Sequence, residues 1–469
     1  MIESSVLEKP ATIESYVQAS VPQFLEELCE WLKIPSISSL PQHKADILRS
    51  VDWASAALVK LGFKTEILRT KGQPSLYAER IEDKRWPTLL VYGHLDVQPV
   101  DPVEQWIRPP FEPCVQDGRL WGRGAADDKG QTFIHIKACE TWLKTRGRLP
   151  LNVKFIIEGE EEIGSPNFEA LVREHQGKLA GEAVVISDTA MLAKGVPTVS
   201  YATRGLVYFD VVVEGPKLDL HSGSFGGAVL NPALVLAKIL AAMTDRKGRV
   251  AIPCFYQDVA KLTKLEKKMF SRARFVAKEI EAVAGVPCVG GEKGYSVVER
   301  VWARPTFEVH GLTGGFHGEG SKTIIPQRAG AKVSMRLVPN QNPGKIVKSF
   351  ERWVAKLTPN GVKVRVSMVP GGGPAFVEDL DQPVFQAAFR ALRRAFGAEP
   401  VFERCGGSIF APEIFKRAYA QTPVLMMGFG LPGENAHAPN EWLDLDNFRL
   451  GIIASAYFYE EFANKARNK

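Results

Sequence analysis

Two kinds of apolar pattern alternate along the chain. In PQFLEELCEWLKIPSIS, Phe24, Leu25, Leu28, Trp31 and Leu32 recur at the spacing of one helical stripe, and Pro35 ends the helix. Four short apolar runs behave differently: TLLVYGHLDV (88–97), LNVKFIIEGEE (151–161), EAVVISD (182–188) and PVLMMGFG (423–430), with helix-like stretches between most of them. Continuous runs of this length predict strands buried on both faces. The fold class expected is an α/β domain with a mainly parallel sheet flanked by helices.

The middle of the chain has another rhythm. RGLVYFDVVVEG (204–215) alternates like a half-exposed strand, and NPALVLAKILAAM (231–243) reads as a helix opened by Asn231. TFEVHGL and AGAKVSMRLVPN predict two further strands, followed by a helix over 344–357 and a strand over 362–370. That order predicts an α+β ferredoxin-like unit, a small sheet with two helices on one face. GGGPAF (371–376) reads as a hinge or linker, and helices resume from about 385. The division expected is a split domain of 1–204 and 383–469, with 205–382 inserted.

Composition changes this picture little. Hydrophobic residues make up 45% of the 469 residues and charged ones 24%, ordinary for a globular protein. The net charge of +6 leaves 59 Lys and Arg interleaved with 53 Asp and Glu, and the basic stretch 264–275 alternates with apolar residues. That is the solvated face of a helix rather than a nucleic-acid footprint. Six scattered cysteines form no C-x-x-C pair, so reduced thiols and a cytoplasmic location are expected, without a structural zinc site. The string MIESSVLEKPATIESY lacks the basic start and apolar core of a secretory leader, and no apolar run approaches a membrane span.

Each buried run leads into polar residues: His94 and Asp96, then Glu158 to Glu162, then Asp188, and finally His437. Ligands of open α/β sheets bind at the carboxyl ends of the strands, so four such endings predict one site. In WGRGAADDKG (121–130), Asp127 or Asp128 is either a helix N-cap or a carboxylate whose two oxygens bridge cations. EGEEEIGS (158–165) is either a solvated acidic loop or a metal ligand beside a general base. Oxygen and nitrogen donors without cysteine favour Zn, Mn or Co. Of the histidines, His94, His221 and His437 lie in polar, Gly-flanked contexts; His43, His135, His175, His310 and His317 read as surface or core.

GHLDV, GRGAADDKG, EGEEEIGS, the isolated Asp188 and the late His437, in this order and spacing, resemble the dinuclear metallopeptidase family of aminoacylase, carboxypeptidase G, succinyl-diaminopimelate desuccinylase and the carnosinases. The resemblance covers nearly the whole chain. YATRG, DLHSG, SKTIIP and RLVPN look most like the cytosolic non-specific dipeptidase and carnosinase branch. It implies two divalent ions, with Asp127 shared, His94 and Asp188 completing one ligand set and Glu162 and His437 the other. It further implies Glu161 as general base, Asp96 orienting His94, and His221 polarising the scissile carbonyl. His221 would come with Thr323 from the partner subunit of a homodimer, making the inserted domain a lid and dimerisation domain. Arg336 and Ser408 would hold the carboxylate of a small dipeptide. Asp128 stands where carnosinase relatives often have Asn. Two other functions stay open here: an N-acyl-amino-acid amidohydrolase or desuccinylase, and a non-catalytic binding protein on a peptidase fold.

Overall fold

The structure, a computed structural model, describes residues 12–273 and 275–467. Most of the N-terminal string, and Arg274 of the basic stretch, lie outside the described residues. The chain forms two compact units. The first comprises the described residues up to Tyr201, then Glu378–Glu403, then those from Phe410 onward; the second comprises Ala202–Val377 and Arg404–Ile409. The return of 404–409 to the second unit has no pattern signal, because a six-residue loop held by backbone bonds carries no periodicity. Arg204 N–H donates to the Gly407 carbonyl there.

The main sheet is built from β1 (Lys64–Leu68), β2 (Ser75–Arg80), β3 (Thr88–His94), β4 (Asn152–Glu158), β5 (Ala183–Ile186), β6 (Thr198–Thr203), β7 (Val401–Cys405) and β8 (Val424–Met426). Its order is β1-β2-β4-β3-β5-β8-β6, with β7 paired to β6 and the short strand Phe376–Val377 pairing beyond β6 as the ninth strand. The four expected apolar runs are its centre: β4, β3, β5 and β8 run parallel, flanked by antiparallel neighbours. Every residue of β5 is buried, as is β3 from Leu89 to His94, which is why neither alternates. Helix Lys129–Arg146 packs between Ile13–Leu32 and Leu445–Arg467. The predicted stripe of Ile13–Leu32 is buried at all five positions, Phe24, Leu25, Leu28, Trp31 and Leu32.

In the second unit the strands Thr306–Gly314, Arg328–Leu337, Gly205–Glu214 and Lys363–Gly373 lie in that order, all antiparallel. With helices Pro232–Ala241 and Pro343–Leu357 this is the expected ferredoxin-like arrangement. Phe209 of the sheet packs on Phe350 of the second helix, ring centroids 4.6 Å apart. Asn231 caps the first helix by accepting from Ala233 N–H at 2.9 Å. Between that helix and the next strand lie three more short helices, Lys264–Arg272, Val276–Ala284 and Val297–Ala303. The hinge expected at GGGPAF is corrected: the strand continues through Gly373, which pairs with Leu206. A Cβ on Gly372 would lie 2.4 Å from the Leu206 carbonyl oxygen, so glycine here allows two backbones to meet.

Glu403 of β7 is buried and accepts from Ser200 Oγ at 2.6 Å, and burial pushes its carboxyl up to about 7. A raised folded pKa gives stability that is full below the unfolded value and lost as pH rises through 7. Urea denaturation across pH 4–9 should show Glu403→Gln flattening this loss by roughly 3 kcal/mol. Parallel pH profiles for the two proteins would refute the assignment.

Candidate metal centre

The parallel register brings the strand ends level: His94 lies opposite Glu158, and Tyr92 opposite Ile186, two residues before Asp188. Gly93 allows this end to close, since a Cβ there would sit 1.9 Å from Thr132 Oγ1 and 2.9 Å from Asp128 Oδ2. Asp128 occupies the N-cap position of Lys129–Arg146 but makes no capping bond. Its Oδ2 accepts instead from His94 N–H at 3.1 Å and Thr132 Oγ1 at 2.8 Å. Neither Asp127 nor Asp128 is therefore spent on the helix end.

Two groups of donor atoms converge on Asp127: His94, Asp127 and Asp188 form one, Asp127, Glu162 and His437 the other, with atoms in each within 4.8 Å. His94 Nε2 lies 3.1 Å from Asp127 Oδ1, 3.7 Å from Asp188 Oδ1 and 3.9 Å from Glu161 Oε2. His437 Nε2 lies 2.9 Å from Asp127 Oδ2 and 3.1 Å from Glu162 Oε2. His43, His135, His175, His310 and His317 join neither group. His135, for example, is buried between Ser187 and Tyr459.

The surroundings orient these atoms. His94 Nδ1–H donates to the Asp96 carbonyl at 3.0 Å, which turns Nε2 towards the carboxylates. The Asp96 carboxylate stands farther off, at 3.5 Å, and accepts instead from Glu161 N–H at 3.2 Å and Glu162 N–H at 3.1 Å. One residue thus sets a histidine with its carbonyl and the acidic turn with its side chain. Three of the four glutamates of that turn have separate hydrogen-bond partners. Glu158 accepts from Tyr92 and Ser165, Glu160 from Gln73 N–H and Asn167, and Glu162 from Gln98 Nε2 at 2.8 Å. Gln98 and Glu441 escaped the sequence reading. Glu441 carries a signal in retrospect, since Glu434 and Glu441 bracket His437 in one short loop.

Charge tests whether cations fit here. Burial, reinforced by Asp188, Glu162 and Asp127 against relief from His94, holds the Glu161 carboxyl well above its ordinary range. Burial and then Asp127 push Glu162 up to about 7, and burial raises Asp188. Hydrogen bonds to Asp127 and Glu162 lift His437 to about 11. For His94, burial opposes the charge, yet hydrogen bonds to Asp127, Asp188 and Asp96 outweigh it and raise its pKa well above normal. Four carboxylates crowd two imidazoles, an excess of negative charge that cations at the same oxygens would satisfy. The donor set is oxygen and nitrogen with no thiolate, which suits divalent Zn, Mn or Co.

The remaining candidates lie in the second unit. Short strands Leu220–His221 and Ile324–Ile325 pair, and Ser222 N–H donates to the Thr323 carbonyl, so His221 and Thr323 are neighbours. His221 is exposed, and its Nδ1 accepts from Gly223 N–H at 3.0 Å. The imidazole proton is then on Nε2, the donor form suited to a carbonyl oxygen. Arg336 Nη1 donates to Ser408 Oγ at 2.6 Å, which brings that pair together also.

A sheet edge delivering paired carboxylate and histidine ligands defines a class of metallohydrolase site, and the comparisons agree. The model of peptidase family M20/M25/M40 matches residues 90–461, and the chain belongs to this family. It is 31% identical over 480 residues to a Beta-Ala-His dipeptidase of Mus musculus, covering 98% of this chain and 96% of that one. It is likewise 31% identical over 469 residues to a Cys-Gly metallodipeptidase of Saccharomyces cerevisiae, covering 95% and 97%. The structure of human carnosine dipeptidase 1 superposes with a TM-score of 0.85 at 30% identity, covering 97% and 100%. An M20 family metallo-carboxypeptidase from Sulfolobus solfataricus does so at 0.85 and 33%, covering 94% and 99%.

Both donor groups need Asp127. Zn²⁺ or Mn²⁺ at about 100 times its dissociation constant should stabilise the wild type by about 2.7 kcal/mol, read as a rise in Tm. Asp127→Ala should show no rise. An equal rise in both proteins would place the ions elsewhere.

Proposed function

We propose that the protein is a metal-dependent dipeptidase that hydrolyses the peptide bond of small dipeptides. The observation that carries this reading is the pair of donor groups sharing Asp127, with Glu161 beside them but in neither group. Relatives named as dipeptidases, one of them a metallodipeptidase, that align over nearly their whole length support the substrate class.

His94 and Asp188 would hold one divalent ion, Glu162 and His437 the other, and Asp127 both. Zn or Mn is favoured, with Co a third candidate. When bound, such ions act as Lewis acids that polarise the scissile carbonyl and lower the pKa of water. Glu161 takes the proton from the attacking water and delivers it to the leaving amine. Its place beside both donor groups but in neither leaves its carboxylate available to exchange that proton. Asp96 orients both His94 and the backbone that carries Glu161. His221 donates its Nε2–H to the developing oxyanion, a contact whose loss typically costs about 10²–10³ in rate. His221 and Thr323 act from the partner subunit of a homodimer, with the inserted unit as lid and dimerisation domain. Arg336 and Ser408 bind the substrate carboxylate. A cytoplasmic setting accords with six scattered cysteines that form no C-x-x-C pair. No helix among the described residues is long and apolar enough to cross a membrane.

A substrate panel tests the reading. Dipeptides should turn over, while N-acetyl and N-succinyl amino acids and longer peptides should not. Turnover of acylated amino acids alone would make the protein an amidohydrolase or desuccinylase, and trimming of longer peptides would make it a carboxypeptidase. Glu161→Ala should keep its metal content and lose at least about 10² in kcat; unchanged kcat would remove the base assignment. Mixing inactive His221→Ala and Glu161→Ala chains should restore activity through hybrid dimers. No recovery despite demonstrated subunit exchange would assign His221 to its own subunit's site.

A further inference from the structure

Glu441 lies four residues beyond His437 and is completely buried. Its Oε1 accepts from Ala126 N–H at 2.9 Å and Asp127 N–H at 3.1 Å. Its Oε2 accepts from Gly124 N–H at 3.0 Å and Arg123 Nη1 at 2.8 Å. Its carbonyl accepts from Gly122 N–H at 3.0 Å. With two donors on each oxygen the carboxylate has no lone pair left for a cation, and it belongs to neither donor group. The turn it holds carries the carboxylate common to both groups, and the segment it sits on carries the more exposed of their two imidazoles, His437, at 58%.

From these contacts we propose that Glu441 is a positioning residue. It clamps the Asp127 turn to the His437 loop and so sets how far apart the two ligands stand before any ion arrives. The inference rests on the two-ion reading of the site. His437 needs such a clamp because its own backbone is in the left-handed region, φ 64°, where a non-glycine residue persists only if its surroundings hold it. Much of that holding is local: Asn435 Nδ2 donates to the Asn440 carbonyl at 3.0 Å, and Glu434 accepts from Leu431 N–H at 2.7 Å and Asp444 N–H at 2.9 Å. Among these contacts Glu441 is the one that reaches across to the turn of Asp127.

The test is Glu441→Gln. It keeps the shape, but its NH₂ must face one of the two donor pairs. Zn²⁺ affinity, titrated against a chromophoric chelator on folded protein, should fall about 10–100-fold, as for other residues that orient metal ligands. The visible spectrum of the Co²⁺-loaded protein should change in intensity, since coordination geometry sets it. If Glu441→Gln is not recovered folded, Glu441→Asp, one methylene too short to reach both donor pairs, takes the same measurements. A folded variant with affinity within twofold of wild type and an unchanged Co²⁺ spectrum would overturn the proposal and leave Glu441 a stabilising residue only. Should the wild type bind two ions yet cleave no dipeptide, the functional reading fails and the positioning role stands.

Discussion

The site depends on the register of four parallel strands. Parallel pairing points every carboxyl end the same way, and the pairing of His94 with Glu158 and of Tyr92 with Ile186 brings three of those ends level. A slip of one residue would turn each inward side chain outward and separate the ligands by a strand step. Side chains packed against two different buried faces would then clash or leave cavities, which holds the register. The apolar residues that make β3 and β5 continuous runs therefore also position the charged residues just beyond them.

Crowding that many acids at one edge is costly without counter-charge, and the protein divides the cost. Glu158 and Glu160 are absorbed by hydroxyl, amide and backbone donors. Glu441 is neutralised by Arg123 and three N–H groups. Asp96 is taken up by the backbone of the acidic turn. Four carboxylates remain facing one another across Nε2 of two histidines, and this residue is the chemistry. Within the second unit the polar groups are of a different kind: the His221 imidazole accepts from Gly223 N–H, and Arg336 donates to Ser408.

Much of this was legible from residue order because buried strands and ligand types leave local marks. The four apolar runs, the stripe through Phe24 and Trp31, and the capping Asn231 each follow from spacing alone. So does the ferredoxin-like order of the middle, whose strand Gly205–Glu214 alternates residue by residue. What stayed hidden was non-local. Glu441 meets Asp127 across more than 300 positions, and no periodicity links them. The glycine run near 372 is ambiguous in sequence, because flexibility and close backbone approach call for the same residue. Asp96 meets His94 through its backbone carbonyl, while its two carboxylate oxygens serve the turn of Glu161, a division that residue order does not encode.

The order of synthesis gives β8 a further meaning. It sits between β5 and β6, yet the ribosome makes it roughly 240 residues after β5, on the order of ten to fifty seconds later at ordinary translation speeds. Until then the hydrogen-bonding edge of Val184–Ile186 is open, an invitation to strands of other nascent chains. The same delay withholds His437, so a cation captured early meets at most one complete set of ligands. A chain truncated before β8 keeps the donor group of His94, Asp127 and Asp188 but lacks that of Asp127, Glu162 and His437, so the second group is tied to completion of the sheet.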